Sequence, residues 1–244
     1  MSVFVIADLH LPGGQDKNMD VFGDHWVRHF EKISEDWQER VSEEDTVLIP
    51  GDISWAMNLD DARADLESIG SLPGKKILIR GNHDFWWSSI SRIRSMMPPN
   101  MFALQYDALD MGTFVVCGTR GWVFPGSRPE ILGGEKVRAD DEKIYRRELL
   151  RMQMSLDEAR KKQLSGDKRK PLVVMTHYPP LDISHTRTEV TDLMESYRVH
   201  SVVYGHLHGN GIGAGFQGKL RGVRYYLTSC DSLGFRLMEL PLPV

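Results

Sequence analysis

Cysteine is nearly absent from this 244-residue chain: Cys117 and Cys230 are too few for a disulfide framework. Both sit in apolar surroundings (Phe114-Val115-Val116-Cys117 and Tyr226-Leu227-Thr228-Ser229-Cys230), so the expectation is two buried free thiols in a reducing compartment. No apolar run approaches the roughly 20 residues that a membrane-spanning helix needs. The first residues lack the basic region, apolar stretch and cleavage site of a signal peptide, and the expected location is the cytoplasm. Positive charge is not in excess either. A net charge of −4 leaves no footprint for duplex nucleic acid, although a few local cations suffice for a nucleotide or a single phosphate. Repeats, low-complexity tracts and linkers are missing, which points to one domain over residues 1–244. The remaining composition, 41% hydrophobic and 26% charged, is that of a globular chain long enough for a sizeable core.

What is present is a series of short apolar runs, each ending in a polar turn. Residues 3–7 end at Asp8-Leu9-His10, and 46–49 lead into Pro50-Gly51-Asp52. Residues 76–79 lead into Arg80-Gly81-Asn82-His83-Asp84, 172–176 deliver His177, and 201–204 deliver Gly205-His206-Leu207-His208. Their length and β-branched content predict strands buried on both faces. Between them, Phe22, Trp26, Phe30, Ile33 and Trp37 recur at helical spacing and predict a helix carrying His25 and His29 on a polar edge. Leu59, Ala62, Leu66 and Ile69 predict a second helix, with Asn58 as its N-cap. Further helices are expected over 87–96, over 140–164 (apolar at Tyr145, Leu149, Met152, Leu156 and Ala159) and over 188–197, where Thr186 and Glu189 would form a capping box.

This alternation argues for a largely parallel sheet with helical crossovers. The middle changes character: runs at 101–104 and 113–117 predict an antiparallel pair, and a Gly/Pro-rich loop at 118–134 follows. Residues 225–227 and 235–239 read as closing antiparallel strands. Gly213-Ala214-Gly215-Phe216-Gln217-Gly218 matches a dinucleotide fingerprint, but no strand precedes it and no helix follows, so a glycine-rich hairpin is expected.

In open α/β sheets ligands gather beyond the carboxyl ends of the strands. Here those ends carry Asp8/His10, Asp52, Asn82/His83, His177 and His206/His208, imidazole and oxygen donors with no thiolate. Such donors suit borderline and hard divalent ions, and the inventory is too large for one ion and about right for two sharing a carboxylate. Two ions about 3.5–4 Å apart can bind two phosphate oxygens and lower the pKa of a bridging water, so that hydroxide attacks phosphorus near neutral pH.

The ordered series Asp-x-His, Gly-Asp, Gly-Asn-His-Asp, His and Gly-His-x-His, spanning residues 8–208, resembles the calcineurin-like metallophosphoesterase superfamily. The resemblance implies a four-layer α-β-β-α sandwich of two mixed sheets flanked by helices, with a dinuclear site at one rim. By the same resemblance Asp8, His10 and His208 would hold one metal and Asn82, His177 and His206 the second, with Asp52 bridging. His83 would stand beside the substrate as a proton donor, and Asp84 would orient its ring. Mn, Fe and Zn all fit such a site.

Within the superfamily, Gly51-Asp52-Ile53-Ser54-Trp55 lacks the Val-Asp-Arg-Gly continuation of the Ser/Thr protein phosphatases. The opening Asp8-Leu9-His10-Leu11 is similar to that of small bacterial phosphohydrolases, which include lipid pyrophosphatases and cyclic-nucleotide phosphodiesterases. The expected activity is hydrolysis of a mono- or diester of a small molecule or nucleotide. The alternatives are a single-strand nuclease and a non-catalytic scaffold on the same fold. Candidate substrate contacts are Arg120, Trp122, Trp86, His185 and Arg187, and Trp55 is a candidate pocket wall.

Overall fold

The computed structural model describes residues 1–14, 19–127, 139–165, 169–181, 184 and 187–243. Its strands form two mixed sheets, as the resemblance implies, and each sheet belongs to one of two compact units. The first unit comprises Met1–Ala103 with Thr228–Pro241, the second Leu104–Leu227 with Leu242–Val244.

In the first unit β1 (Val3–Val5), β2 (Thr46–Ile49), β3 (Lys75–Leu78) and β4 (Met101–Ala103) run parallel, and β11 (Met238–Glu239) pairs antiparallel with β1. The runs that predict buried strands are buried: Val47, Leu48, Ile49, Ile77 and Leu78 are all solvent-inaccessible. Helices α1 (His29–Arg40), α2 (Arg63–Gly70) and α3 (Ile90–Met96) add Ile33, Trp37, Leu66, Ile69 and Ile93 to the same core. Burial of each such side chain contributes about 1.5–3 kcal/mol.

Three boundaries differ from the pattern reading. The helix expected from Phe22 is two 3-10 turns (Met19–Phe22 and Asp24–Trp26) before α1, because Gly23 and Arg28 take positive φ (123° and 53°) and interrupt it. Phe22 is 60% exposed. Asn58 caps a turn rather than α2: its Oδ1 accepts from Asp61 N–H at 3.0 Å, and the helix starts at Arg63. Residues 101–104 do not pair with 113–117. They supply β4, which lies parallel to β3.

In the second unit β5 (Ala108–Asp110) is the antiparallel partner of β6 (Val115–Thr119). Gly112, at φ 86°, closes that hairpin and donates its N–H to Asp110 Oδ1 at 2.9 Å. β6, β7 (Leu172–Thr176), β8 (Ser201–Tyr204) and β10 (Val223–Leu227) are parallel, so 225–227 extends the parallel sheet; β9 (Gly218–Leu220) closes it antiparallel to β10. The glycine-rich stretch is no hairpin: Gly209–Ala214 is a 3-10 helix, and Gly218 opens β9.

α4 (Asp141–Gln163) buries Tyr145, Met152, Leu156 and Ala159, with Leu149 half-buried. It also buries Glu148, whose carboxylate accepts from Thr119 Oγ1 at 2.6 Å and from Arg151 Nη1 at 2.5 Å. Thr188 caps α5 (Glu189–Ser196) in a reciprocal box with Thr191; the predicted Thr186 lies outside the described residues. Cys117 and Cys230 are free and buried, and burial pushes the Cys117 thiol up to about 12.

Lys76 in β3 is buried, and its ammonium donates to the Gly70 carbonyl at 3.3 Å and to that of Leu72, at the carboxyl end of α2. Burial lowers its pKa from 10.5 to about 8. The folded state therefore disfavours the charged form below about pH 8, and that penalty fades as pH rises toward the unfolded value of 10.5. Wild-type stability relative to Lys76→Met should rise across this window in urea unfolding. A difference that stays flat with pH would contradict the depressed value.

Candidate metal centre

The first unit builds a cluster of donors from two turns that continue the β1–β2 ladder past its strands. Asp8 N–H donates to Gly51 O and His10 N–H to Asp52 O, each at 3.0 Å; Leu11 N–H donates to Ile53 O and Trp55 N–H to Leu11 O, each at 2.9 Å. Asp8, His10 and Asp52 are held in left-handed backbone at φ 62°, 45° and 53°. That region is uncommon outside glycine, though aspartate and histidine enter it more readily than most, and each instance costs about 1–3 kcal/mol. All three are buried, and His10 Nε2 lies 3.8 Å from Asp52 Oδ2.

Supports for this arrangement come from His29, expected on a polar helix edge, from Cys230, expected as a buried free thiol, and from Trp55, the candidate pocket wall. His29 Nε2 donates to the Leu9 carbonyl at 2.8 Å, and burial lowers its pKa, so the ring serves as a neutral donor. The Cys230 thiol donates to Asp8 O at 3.0 Å; burial and the Asp8 and Asp231 charges raise its pKa, which keeps that proton in place. Trp55, half-buried, stacks on His10 with centroids 5.0 Å apart.

The turn after β3 is fixed by one carboxylate. Asp84 is solvent-inaccessible and accepts five N–H donors. Oδ2 takes Gly81 N–H at 2.7 Å and Asp52 N–H at 2.9 Å; Oδ1 takes Ile53 N–H at 2.8 Å, Trp86 Nε1–H at 2.9 Å and Ser54 N–H at 3.1 Å. Burial and the neighbouring Asp52 charge raise its pKa, and the backbone donors pull it back. Five donors converging on two oxygens leave no place for a proton, so the group acts as an anion. The expectation that Asp84 orients the His83 ring is corrected: its oxygens hold the Asp52 turn.

His83 contributes twice. Its backbone N–H donates to Asp52 Oδ1 at 2.8 Å, and its half-buried ring lies 4.4 Å from that of Trp55 and 5.7 Å from that of His10. Gly81 is required beside it, because an added Cβ would sit 2.0 Å from Asp52 Oδ1. Asn82 is half-buried on the same turn. Trp86 is 1% exposed and packs in the core, so it is a support for Asp84 and not a substrate contact. Phe85, absent from the sequence reading, is 51% exposed and 6.3 Å from the His83 ring.

The second unit brings together the histidines after β7 and β8. His177 and Tyr178 N–H both donate to Arg120 O, at 2.9 and 3.0 Å, and Gly205 N–H donates to His177 O at 3.2 Å. His206, at φ 74°, places its ring 5.2 Å from His177 and 4.3 Å from Tyr178. His208, half-buried, precedes the 3-10 helix. Trp122 is buried, donating Nε1–H to Asp141 at 3.0 Å with the Arg120 guanidinium 4.6 Å above its ring, a packed structural pair. Arg187 is exposed and pairs with Asp192, while His185 lies outside the described residues.

The first unit alone thus assembles two carboxylates, an imidazole and an amide at the ends of adjacent strands. The donor set of both units is nitrogen and oxygen, which fits divalent Mn, Fe or Zn. The nearby sulfur, Cys230, is a protonated donor to backbone and stands outside that set.

A family model described as calcineurin-like phosphoesterase matches residues 1–210. The gene 66 protein of Mycobacterium phage D29 is 38% identical over 87 residues, covering 34% of this chain and 40% of that protein. The match thus spans less than half of the curated relative. Among solved structures, phosphopantetheinyl hydrolase from Mycobacterium tuberculosis is similar at TM-score 0.53 and 16% identity, with 98% of this chain and 95% of that one covered. A protein of unknown function from Aquifex aeolicus has TM-score 0.49 and 14% identity over the same shares.

Replacing Asp84 with Asn turns an amide N–H₂ toward N–H donors and leaves at least two of them unmet. Asp84→Asn should lose about 2–4 kcal/mol of stability in urea unfolding and bind less metal by elemental analysis. A loss below about 1 kcal/mol would show that the turn stands without the carboxylate.

Proposed function

This chain belongs to the calcineurin-like phosphoesterase family; from that premise we propose that it is a phosphoesterase that uses divalent metal and hydrolyses an ester of a small phosphorylated molecule at a dinuclear centre. The ligand assignment we propose gives Asp8, His10 and His208 to one ion, Asn82, His177 and His206 to the other, and Asp52 to both. The observation that carries it is the rigid pairing of the Asp8–His10 turn with the Asp52 turn, with His83 N–H fixing Asp52 Oδ1. Bound divalent ions would supply Lewis acidity toward phosphate oxygens and toward water.

The chain's own groups do the rest. The buried carboxylates of Asp8 and Asp52 are positioned by backbone hydrogen bonds before any ligand arrives, so little reorganisation accompanies binding. The His83 ring, half-buried at the edge of the cluster, would as its imidazolium give a proton to the departing ester oxygen and become neutral imidazole. Asp84 is a positioning residue, acting through the backbone of the turns that bear Asp52 and His83. Trp55 and the exposed Phe85 flank His83 and offer apolar faces to the alcohol portion of the substrate. A small phosphorylated substrate is in keeping with the fold likeness to a phosphopantetheinyl hydrolase.

With added Mn²⁺ the protein should turn over p-nitrophenyl phosphate, bis-p-nitrophenyl phosphate or both, and their ratio reports monoester against diester preference. Failure with both would count against the reading. His83→Asn should keep its metal content while kcat falls on the order of 10²–10⁴-fold, the range for a lost general acid. Asp52→Asn should lose metal in elemental analysis. Metal loss in the His83 variant would assign that ring to the ligand set instead.

A further inference from the structure

The strands that deliver His177 and His206 also frame a cavity at their opposite end. Where β7, β8 and β10 begin, their amino ends border an open cavity of about 420 Å³. β7 is five residues long and β8 four, so at about 3.3 Å per residue the cavity is roughly 13–17 Å from the histidines that follow them. It stands apart from the candidate metal ligands of this unit.

Arg169, Lys170, Arg198 and Arg221 line it. Two of these cations are neutralised within the protein. Lys170 Nζ reaches both oxygens of Asp110 at 2.6 and 2.7 Å, and Arg221 lies 3.7 Å from Asp192 and 3.8 Å from Glu195. Arg169 and Arg198 have no carboxylate partner among the described residues. Arg169 Nη2 donates to the Tyr197 carbonyl at 3.1 Å, which orients the guanidinium without cancelling its charge. A third cation, Arg160, stands 5.0 Å over the Tyr197 ring. Partial burial and repulsion from Arg198 and Arg160 lower the Arg169 pKa, the mark of like charges held close together.

The remaining walls are suited to an organic group. Pro171, Val199 and Pro243 give apolar surface. His200 is neutral: Arg224 donates to its Nε2 at 3.1 Å, its Nδ1 faces Ser201 Oγ at 2.8 Å, and burial with Arg224 and Lys219 lowers its pKa. A cavity of this size falls within the usual range for small-molecule sites, about 300–1,000 Å³. Planar guanidinium forks match phosphate oxygens bidentately. An extended polyanion is disfavoured, because Asp192 and Glu195 stand at the same rim.

We propose that this cavity is a second ligand site, which holds an organic phosphate with its phosphoryl group on Arg169 and Arg198 and its apolar part on Pro171, Val199 and Pro243. No metal-ligating cluster or nucleophile lines it among the described residues, so the site binds without turning over.

Phenylphosphonate tests this directly, since its P–C bond resists phosphoesterase chemistry. Titration calorimetry of the metal-loaded protein should find two sites, one at the metal centre and one in the cavity. Arg169→Ser/Arg198→Ser should weaken the cavity site at least about tenfold, the equivalent of one lost charge-assisted hydrogen bond. The other site and p-nitrophenyl ester turnover should stay unchanged, which also shows that the variant folds. The milder Arg198→Ser, at an exposed position, should give an intermediate loss. A single site in the wild type, or two sites undiminished in the double variant, would overturn the proposal. Equal affinity for inorganic phosphate would remove the apolar wall's part in it.

Discussion

The donor cluster of the first unit depends on the buried carboxylate of Asp84. Past the ends of β2 and β3 the peptide N–H groups of Gly81, Asp52, Ile53 and Ser54 have left the sheet ladder and lie away from water, where an unmet donor is costly. One anion satisfies all four and the Trp86 indole as well. Because its donors come from both turns, the Asp84 carboxylate fixes the distance between them. Asp52 is then held from two directions, by its own N–H on Asp84 and by His83 N–H on its Oδ1. The close approach admits only glycine at position 81. The left-handed backbone at Asp8, His10 and Asp52 persists because this network over-determines it.

Much of this was legible in the sequence, for local reasons. Strands such as 46–49 and 172–176 announce themselves as short β-branched runs, and the residues after them must lie at strand ends. The placement of Asp8, His10, Asp52, His83, His177 and His206 follows from that alone. The role of Asp84 was not legible, because its partners are peptide groups, which leave no trace in residue identity. Trp86 looked like a pocket wall for the same reason: adjacency to a candidate site turn does not say which way a side chain points. The α1 boundary failed because apolar spacing survives a left-handed break at Arg28 that only backbone angles reveal. Glu148 was recoverable, since it stands three residues after Tyr145 on the stripe that faces the core.

The second unit shows a division of labour along its parallel strands. At their carboxyl ends the Arg120 carbonyl gathers the N–H groups of His177 and Tyr178, so imidazoles converge in a region of nitrogen donors. At their amino ends guanidinium groups gather instead. Imidazole side chains stand at one end and guanidinium side chains at the other, and the same buried residues of β7 and β8 separate them. Arg120 serves the first end through its backbone, while its side chain packs on Trp122. Its substitution would disturb packing more directly than charge.

The frame around Asp52 is written mostly in main-chain atoms: nine of the hydrogen bonds described around it use peptide N–H groups as donors. Every amino acid except proline carries that group, so Ile53, Ser54 or Leu11 can mutate without deleting the bond each position supplies. Genetic drift therefore has wide latitude over the surroundings of this cluster and almost none at Asp84, Gly81 and the donors themselves. Lineages descending from a common ancestor can then lose nearly all recognisable likeness while inheriting the same main-chain scaffold.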